Sequence, residues 1–198
     1  KNKEFGIRYA KDRGYDFAVF CDIDDYFEVN RVEKSCTLLR SGYDIVCNEL
    51  ILVSDGTVYE TTPISNRIEN NSAVHLDFIR DKNMFGFTNT AINLNSVEDI
   101  PEFASDLIAS DWFFFTELLN RGLLAVFTNE TNSYYRQHEK NSIGLSEIDQ
   151  ESYDLGIEIK LNHYRRFDHL SMEMDQILHL RKFIDSADHL RFLKANRI

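Results

Sequence analysis

The chain has 198 residues, of which 43% are hydrophobic and 28% charged, a mix that suits one globular domain with a sizeable core. A formal net charge of −11 and a pI near 5.0 argue against non-specific nucleic-acid binding, which runs on Lys and Arg neutralising phosphates. No apolar run approaches the roughly 20 residues of a membrane span, no secretory signal opens the chain, and Cys21, Cys36 and Cys47 lack CxxC spacing, so they read as reduced thiols of a cytoplasmic protein.

The chain opens without an initiator Met, inside what reads as a helix. Phe5 and Tyr9, with Ile7, give it a partial apolar face, and Gly14 is the expected stop. We expect a preceding segment to be missing. "YDFAVFCD" (15–22) then predicts a short buried strand. "NRVEKSCTLLRSG" places Val32, Cys36 and Leu39 at helical spacing, with Asn30 as the cap and Gly42 as the stop. "YDIVCNELILV" predicts a strand that turns at "SDGT" and returns as "VYETT", a hairpin.

Further on, 71–83 predicts a helix with Val74 and Phe78 inward, and "FGFTNTAINL" (85–94) a strand. Ser96 with Asp99 has the form of a capping box opening a short helix. "SDWFFFTELLNRG" (110–122) predicts a strong helix capped at Ser110, with Trp112, Phe115 and Leu119 on one stripe. Its aromatic residues read as core. "LLAVFT" (123–128) is another apolar strand, and "NETNSYYRQHEKNSIG" a polar loop. From about Ser146 the chain reads as helical to its end. Strand–helix alternation through residue 128 gives an α/β sheet domain, and the tail is a helical appendage.

The chemistry concentrates in "FCDIDDYF" (20–27), where Asp22, Asp24 and Asp25 follow an apolar strand. Neighbouring carboxylates repel unless a cation sits between them. Hard divalent ions such as Mg²⁺ take oxygen ligands of this kind. Ligands of open α/β sheets bind beyond the carboxyl ends of the strands, where this cluster falls. A solvated turn explains any one of these aspartates; the D-x-D-D grouping favours a metal.

"GYDFAVFCDIDDYF" resembles the D-x-D segment of nucleotide-sugar glycosyltransferases of the GT-A fold, in particular the large inverting family two. Three more segments follow in the same order. "GFTNTAINL" resembles the strand that borders the sugar pocket. "ASDWFFFTELLNRG" resembles the acidic helix start, and "YYRQHEKNSIG" the Arg-x-His loop. The resemblance covers most of residues 1–145. It implies an α/β fold of GT-A type, a mixed sheet flanked by helices, incomplete at its N-terminus, with residues 146–198 as a C-terminal helical extension.

The same resemblance implies a metal-dependent inverting transfer of sugar from a nucleoside-diphosphate sugar, UDP by default, to a carbohydrate or lipid-linked acceptor in cell-surface polysaccharide or lipopolysaccharide synthesis. Mg²⁺ or Mn²⁺ would be held by Asp24, by Asp22 and by His138. Asp22 also suits ribose or sugar hydroxyls, and Asp25 either the donor site or the fixing of the loop. Asn89, beside Thr90, would meet a sugar hydroxyl, and Arg136, beside Lys140, the diphosphate. Asp111 is the base that takes the acceptor proton, with Asp106 as the fallback; an Asp at a helix start is also a dipole partner without catalysis. Tyr134 and Tyr135 stack on sugar or pack, and Trp112 is a weaker stacking candidate. Asn141 and Gly144 shape the loop.

Two other readings stay open. A haloacid dehalogenase-like phosphatase also places D-x-D after a strand, but Asp25 mismatches its pattern. A non-catalytic sugar- or partner-binding module on the same fold is the second. Tail residues His163, His169, His179 and His189 lack metal-like spacing and read as surface or interface. Basic residues beside apolar ones in the tail allow a peripheral membrane contact, and intramolecular packing or a homodimer through these helices serves as well.

Overall fold

The computed structural model describes residues 2–54, 56–60, 63–136 and 150–184. The chain divides into two units, Lys1–Asp106 with Ser110–Gln137, and Leu107–Ala109 with His138–Ile198. His138, Lys140, Asn141, Gly144 and His189, and the expected boundary after residue 145, lie outside the described residues.

The first unit carries α1 (Asn2–Asp12), β1 (Phe17–Val19), β2 (Tyr26–Phe27), α2 (Arg31–Arg40), β3 (Ile45–Ser54), β4 (Thr57–Glu60), β5 (Ala73–Val74), α3 (Leu76–Ile79), β6 (Thr90–Asn93), α4 (Ser110–Asn120) and β7 (Ala125–Arg136). Among the described residues the strands form one mixed sheet in the order β1-β6-β3-β7-β2, with β4 on β3 and β5 on β7. β3 and β7 run parallel, whereas β6 is antiparallel to both β1 and β3. β3 is buried at seven of its ten positions and exposed at none, as an apolar run between two strands must be. Gly14 (φ 75°) and Gly42 (φ 109°) follow α1 and α2 in the left-handed conformation that ends a helix.

Leu39, Val46, Ala91 and Val126 join α2 to the sheet, with Phe17, Val19, Leu38 and Tyr43 packed around them. A second core is aromatic. Phe87 lies 5.5 Å from Phe115 and 5.1 Å from Phe20, ring centre to ring centre, and Phe114 lies 5.2 Å from Phe115. α4 buries Trp112, Phe114, Phe115, Leu118 and Leu119, wider than a single stripe. The Trp112 indole donates to the Ile79 carbonyl at 2.7 Å, so its ring is enclosed and cannot serve as a sugar platform.

Several expected elements differ. Residues 71–83 form no continuous helix: Val74 instead pairs with Ala125 in the sheet, and only the turn α3 follows. Asn71 has φ 59°, which breaks a right-handed helix at its start. The strand expected over 85–94 is confined to Thr90–Asn93 because Asn89 closes a turn on Gly86. Ser96 and Asp99 open no helix. Asn30 precedes α2 but makes no capping bond. Its amide donates to Glu130 O and its oxygen accepts from Thr131 Oγ1 at 2.8 Å. The stretch 129–136, expected as a loop, continues β7. Asn129, Glu130 and Thr131 bulge between Thr128, opposite Asn48, and Asn132, opposite Glu49.

In the second unit, α5 (Gln150–Tyr164) is followed by a 3-10 turn (Asp168–Leu170) and α6 (Ser171–Ile184). Ile157, Ile159, Leu161, Tyr164, Phe167 and Leu170 are buried. His163 is not a surface residue. It is 2% exposed, 5.1 Å from the Phe167 ring, and burial holds its pKa down at about 3. His169 and His179 are exposed.

Candidate functional site

β1 delivers the chain to an elbow. Phe20 N–H still bonds to Thr90 O at 3.1 Å, and Asp25 N–H then returns to Asp22 O at 3.1 Å, closing a turn over residues 22–25. The elbow leads straight into β2, where Tyr26 faces Tyr134 and Phe27 faces Ser133 of β7. The apolar strand, the tight turn and the paired exit hold three carboxylates at the carboxyl end of a sheet strand.

The three aspartates have different surroundings. Asp25 is buried. Oδ1 accepts the Arg136 N–H at 2.9 Å and Oδ2 accepts the Thr88 hydroxyl. Burial raises its pKa, Asp24 and Asp22 add to the rise, and those two hydrogen bonds oppose it. Asp25 is therefore the member that ties the elbow to β7. Asp22 is half-buried. Its Oδ1 meets Lys3 Nζ at 2.7 Å, and Thr88 Oγ1 lies 3.3 Å from its Oδ2. Asp24 is exposed, and its backbone carbonyl receives the Arg136 guanidinium.

Asp111 stands in the first turn of α4, half-buried. Its Oδ1 accepts the Trp112 N–H at 2.8 Å. Burial raises its pKa; the Trp112 N–H, the Asn83 side chain and the charge of Lys3 pull the other way. A side-chain carbon at Gly86 would stand 3.3 Å from Asn89 Oδ1 and 3.8 Å from Asp111 Oδ2, so the turn 86–89 borders the carboxylate closely. Asp106, the acidic residue expected as the fallback, is exposed.

The turn 86–89 links these groups, with Thr88 Oγ1 against Asp22 and Asp25 and Gly86 beside Asp111; Tyr135 stands near them. It is half-buried, and burial together with the charges of Asp25, Asp111, Asp22 and Asp24 raises its phenol pKa. Tyr134 stacks on Tyr26, centroids 4.6 Å apart and planes 6° from parallel, so it packs within the sheet. Asn89 is buried and faces inward. Its amide donates to Asn48 O at 3.1 Å and lies near Met84 O, while its oxygen accepts Gly86 N–H at 2.9 Å. It orders the turn beside Asp111. Behind the elbow lies Arg31, fully buried, donating to Asn48 Oδ1 at 2.8 Å and stacked over Phe27. Burial lowers its pKa to about 10, and it remains a cation at neutral pH.

Lys3, Thr88 and Arg31 were not singled out by the sequence, and Tyr135 only as a stacking or packing residue. Lys3 looks like any lysine on the solvent side of a helix. Arg31 carries no sign of burial except its place at the start of a helix that follows the acidic turn.

Among the described residues no three His, Cys, Asp or Glu side chains converge to hold an ion. The elbow nevertheless fits a hard divalent ion of the kind that retains waters and binds through one or two carboxylates plus substrate phosphates. Asp24, exposed, and Asp22, half-buried, are the more accessible carboxylates, whereas Asp25 is buried with both oxygens engaged.

No family model and no curated protein matches the chain. A solved structure does: residues 1–349 of TarS from S. aureus, a glycosyltransferase, with 16% identity and a TM-score of 0.51 over 91% of this chain and 50% of that one. This chain thus spans half the length of the structure it matches. The likeness is one of fold, a mixed α/β sheet flanked by helices. No helix among the described residues is long and apolar enough to cross a membrane.

Proposed function

We propose that this chain is a metal-dependent inverting glycosyltransferase of GT-A type, moving a sugar from a nucleoside-diphosphate sugar to an acceptor hydroxyl. The observation that carries the reading is the turn 86–89, which sets Thr88 against Asp22 and Asp25 and Gly86 beside Asp111, in a fold like that of a glycosyltransferase. A divalent ion, when bound with the donor, would offset charge on the departing diphosphate.

The chain's own residues have separable roles in this reading. Asp24 and Asp22 hold the ion at the elbow. Asp25 keeps the elbow on β7. Arg136, at the end of β7, stands beside Asp24 and suits a phosphate oxygen. Asp111 takes the proton from the acceptor hydroxyl as the new bond forms. A carboxylate whose pKa is raised by burial is a stronger base than a solvated one.

The test is a panel of nucleoside-diphosphate sugars with Mn²⁺, read as release of nucleoside diphosphate with and without carbohydrate or lipid-linked acceptors. Metal-dependent release from one donor supports the reading. Release of phosphate from an aryl phosphate instead points to a phosphatase, and donor binding with no turnover points to a binding module.

A further inference from the structure

We infer that Lys3 is the internal counter-ion of the acidic elbow and competes with a divalent ion for Asp22; the inference rests on the metal-dependent reading above. Lys3 sits in the first turn of α1, and its ammonium reaches across to the elbow. Nζ lies 2.7 Å from Asp22 Oδ1 and 4.3 Å from the centre of the Phe87 ring. Its charge also acts on Asp111. One ammonium therefore addresses Asp22 of the elbow and Asp111 of α4, the two assigned to different jobs.

This ion pair is exchangeable. The Lys3 side chain is 42% exposed and that of Asp22 32%, so water screens the attraction and the pair adds little stability. An ion bound to Asp22 would meet the ammonium at the same carboxylate. Two positive charges on the ion and one on Lys3 cannot share that oxygen without repulsion. Loading the ion therefore requires the Lys3–Asp22 bond to open, and α1 feels whether the elbow is occupied. The ammonium also balances the Asp22 charge in the absence of the ion, at an elbow where like charges crowd together.

The experiment measures Mn²⁺ alone, without nucleotide, on the full chain, by the loss of the free-ion paramagnetic resonance signal. Lys3→Met and Lys3→Gln remove the charge; Lys3→Arg keeps it. The neutral variants should bind Mn²⁺ roughly tenfold more tightly than the wild type, and the gain should shrink as ionic strength rises. Lys3→Arg should stay within about twofold. In an Asp22→Asn background the gain from Lys3→Met should vanish. Unchanged or weaker Mn²⁺ binding in both neutral variants, with the wild type binding normally, overturns the inference and leaves the metal reading standing. No Mn²⁺ binding by wild type or variants overturns both.

Discussion

Oδ1 of Asp25 accepts the backbone N–H of Arg136 at 2.9 Å, which fastens the turn after the first strand to the end of β7. The bond separates two neighbouring aspartates that look equivalent in sequence. Asp25→Ala strips the Thr88 hydroxyl and the Arg136 amide of their acceptor and should lower stability by about 1–3 kcal/mol in urea denaturation. Asp24→Ala, at an exposed carboxylate, should change stability by less than about 0.5 kcal/mol yet abolish Mn²⁺-dependent donor binding. The opposite pattern would exchange their roles.

Asp111→Asn preserves the shape of the carboxyl group and removes its basicity. Donor affinity should stay within about threefold of wild type, while transfer falls by about 10²–10⁴-fold. The base works deprotonated, and burial raises its pKa. Activity should therefore be full at high pH and decline as pH falls through that raised pKa, above the ordinary carboxylate range. Single-turnover transfer across pH 4–8 reads the limb. Wild-type transfer by Asp111→Asn would remove Asp111 from the chemistry and direct attention to Asp106.

His163 makes the helical unit acid-sensitive. Its pKa is held at about 3 in the folded chain against an unfolded value near 6.5. The folded state disfavours the proton, so its contribution is complete above pH 6.5 and is lost as pH falls from 6.5 towards 3, at up to about 1.4 kcal/mol per pH unit. The far-ultraviolet dichroism of α5 and α6 should lose urea resistance between pH 7.5 and pH 5 in the wild type. His163→Leu should flatten that dependence, and equal acid sensitivity in both proteins would mean that His163 is not its source.

Glu49 offers a purely structural control. Its carboxylate is 1% exposed and accepts three backbone N–H groups, those of Leu50 at 2.9 Å, Ile64 at 3.0 Å and Ser65 at 2.8 Å. Glu49→Gln turns one acceptor oxygen into a donor facing an N–H. Stability should drop by about 1.5–3 kcal/mol, with Mn²⁺ affinity at the elbow unchanged. A Gln variant as stable as the wild type would show that these bonds are replaced by water.

What could be read from the sequence was what local pattern controls. β1, α2, the β3–β4 hairpin and α4 follow from apolar runs, helical spacing and turn glycines, and the D-x-D-D cluster is visible as charge density after a strand. The rest depends on partners distant in the chain. Thr131 and Ser133 look like loop residues, yet both are fully buried in β7, because Asn30 and the carbonyl of Thr88 satisfy their hydroxyls. Val74 and Phe78 have helical spacing by coincidence, since Val74 is claimed by a strand partner. Lys3 acquires its meaning only when α1 is laid beside the elbow. The role of Asn89 likewise required knowing that Gly86 folds back onto its side chain.

Trp112 is the chain's one tryptophan, and it directly follows Asp111. Its indole is sheltered from water and anchored to Ile79. The protein thus contains a built-in fluorophore one peptide away from the residue assigned to proton removal. Its emission offers a label-free readout at the start of α4 when manganese, nucleotide sugar or acceptor is added.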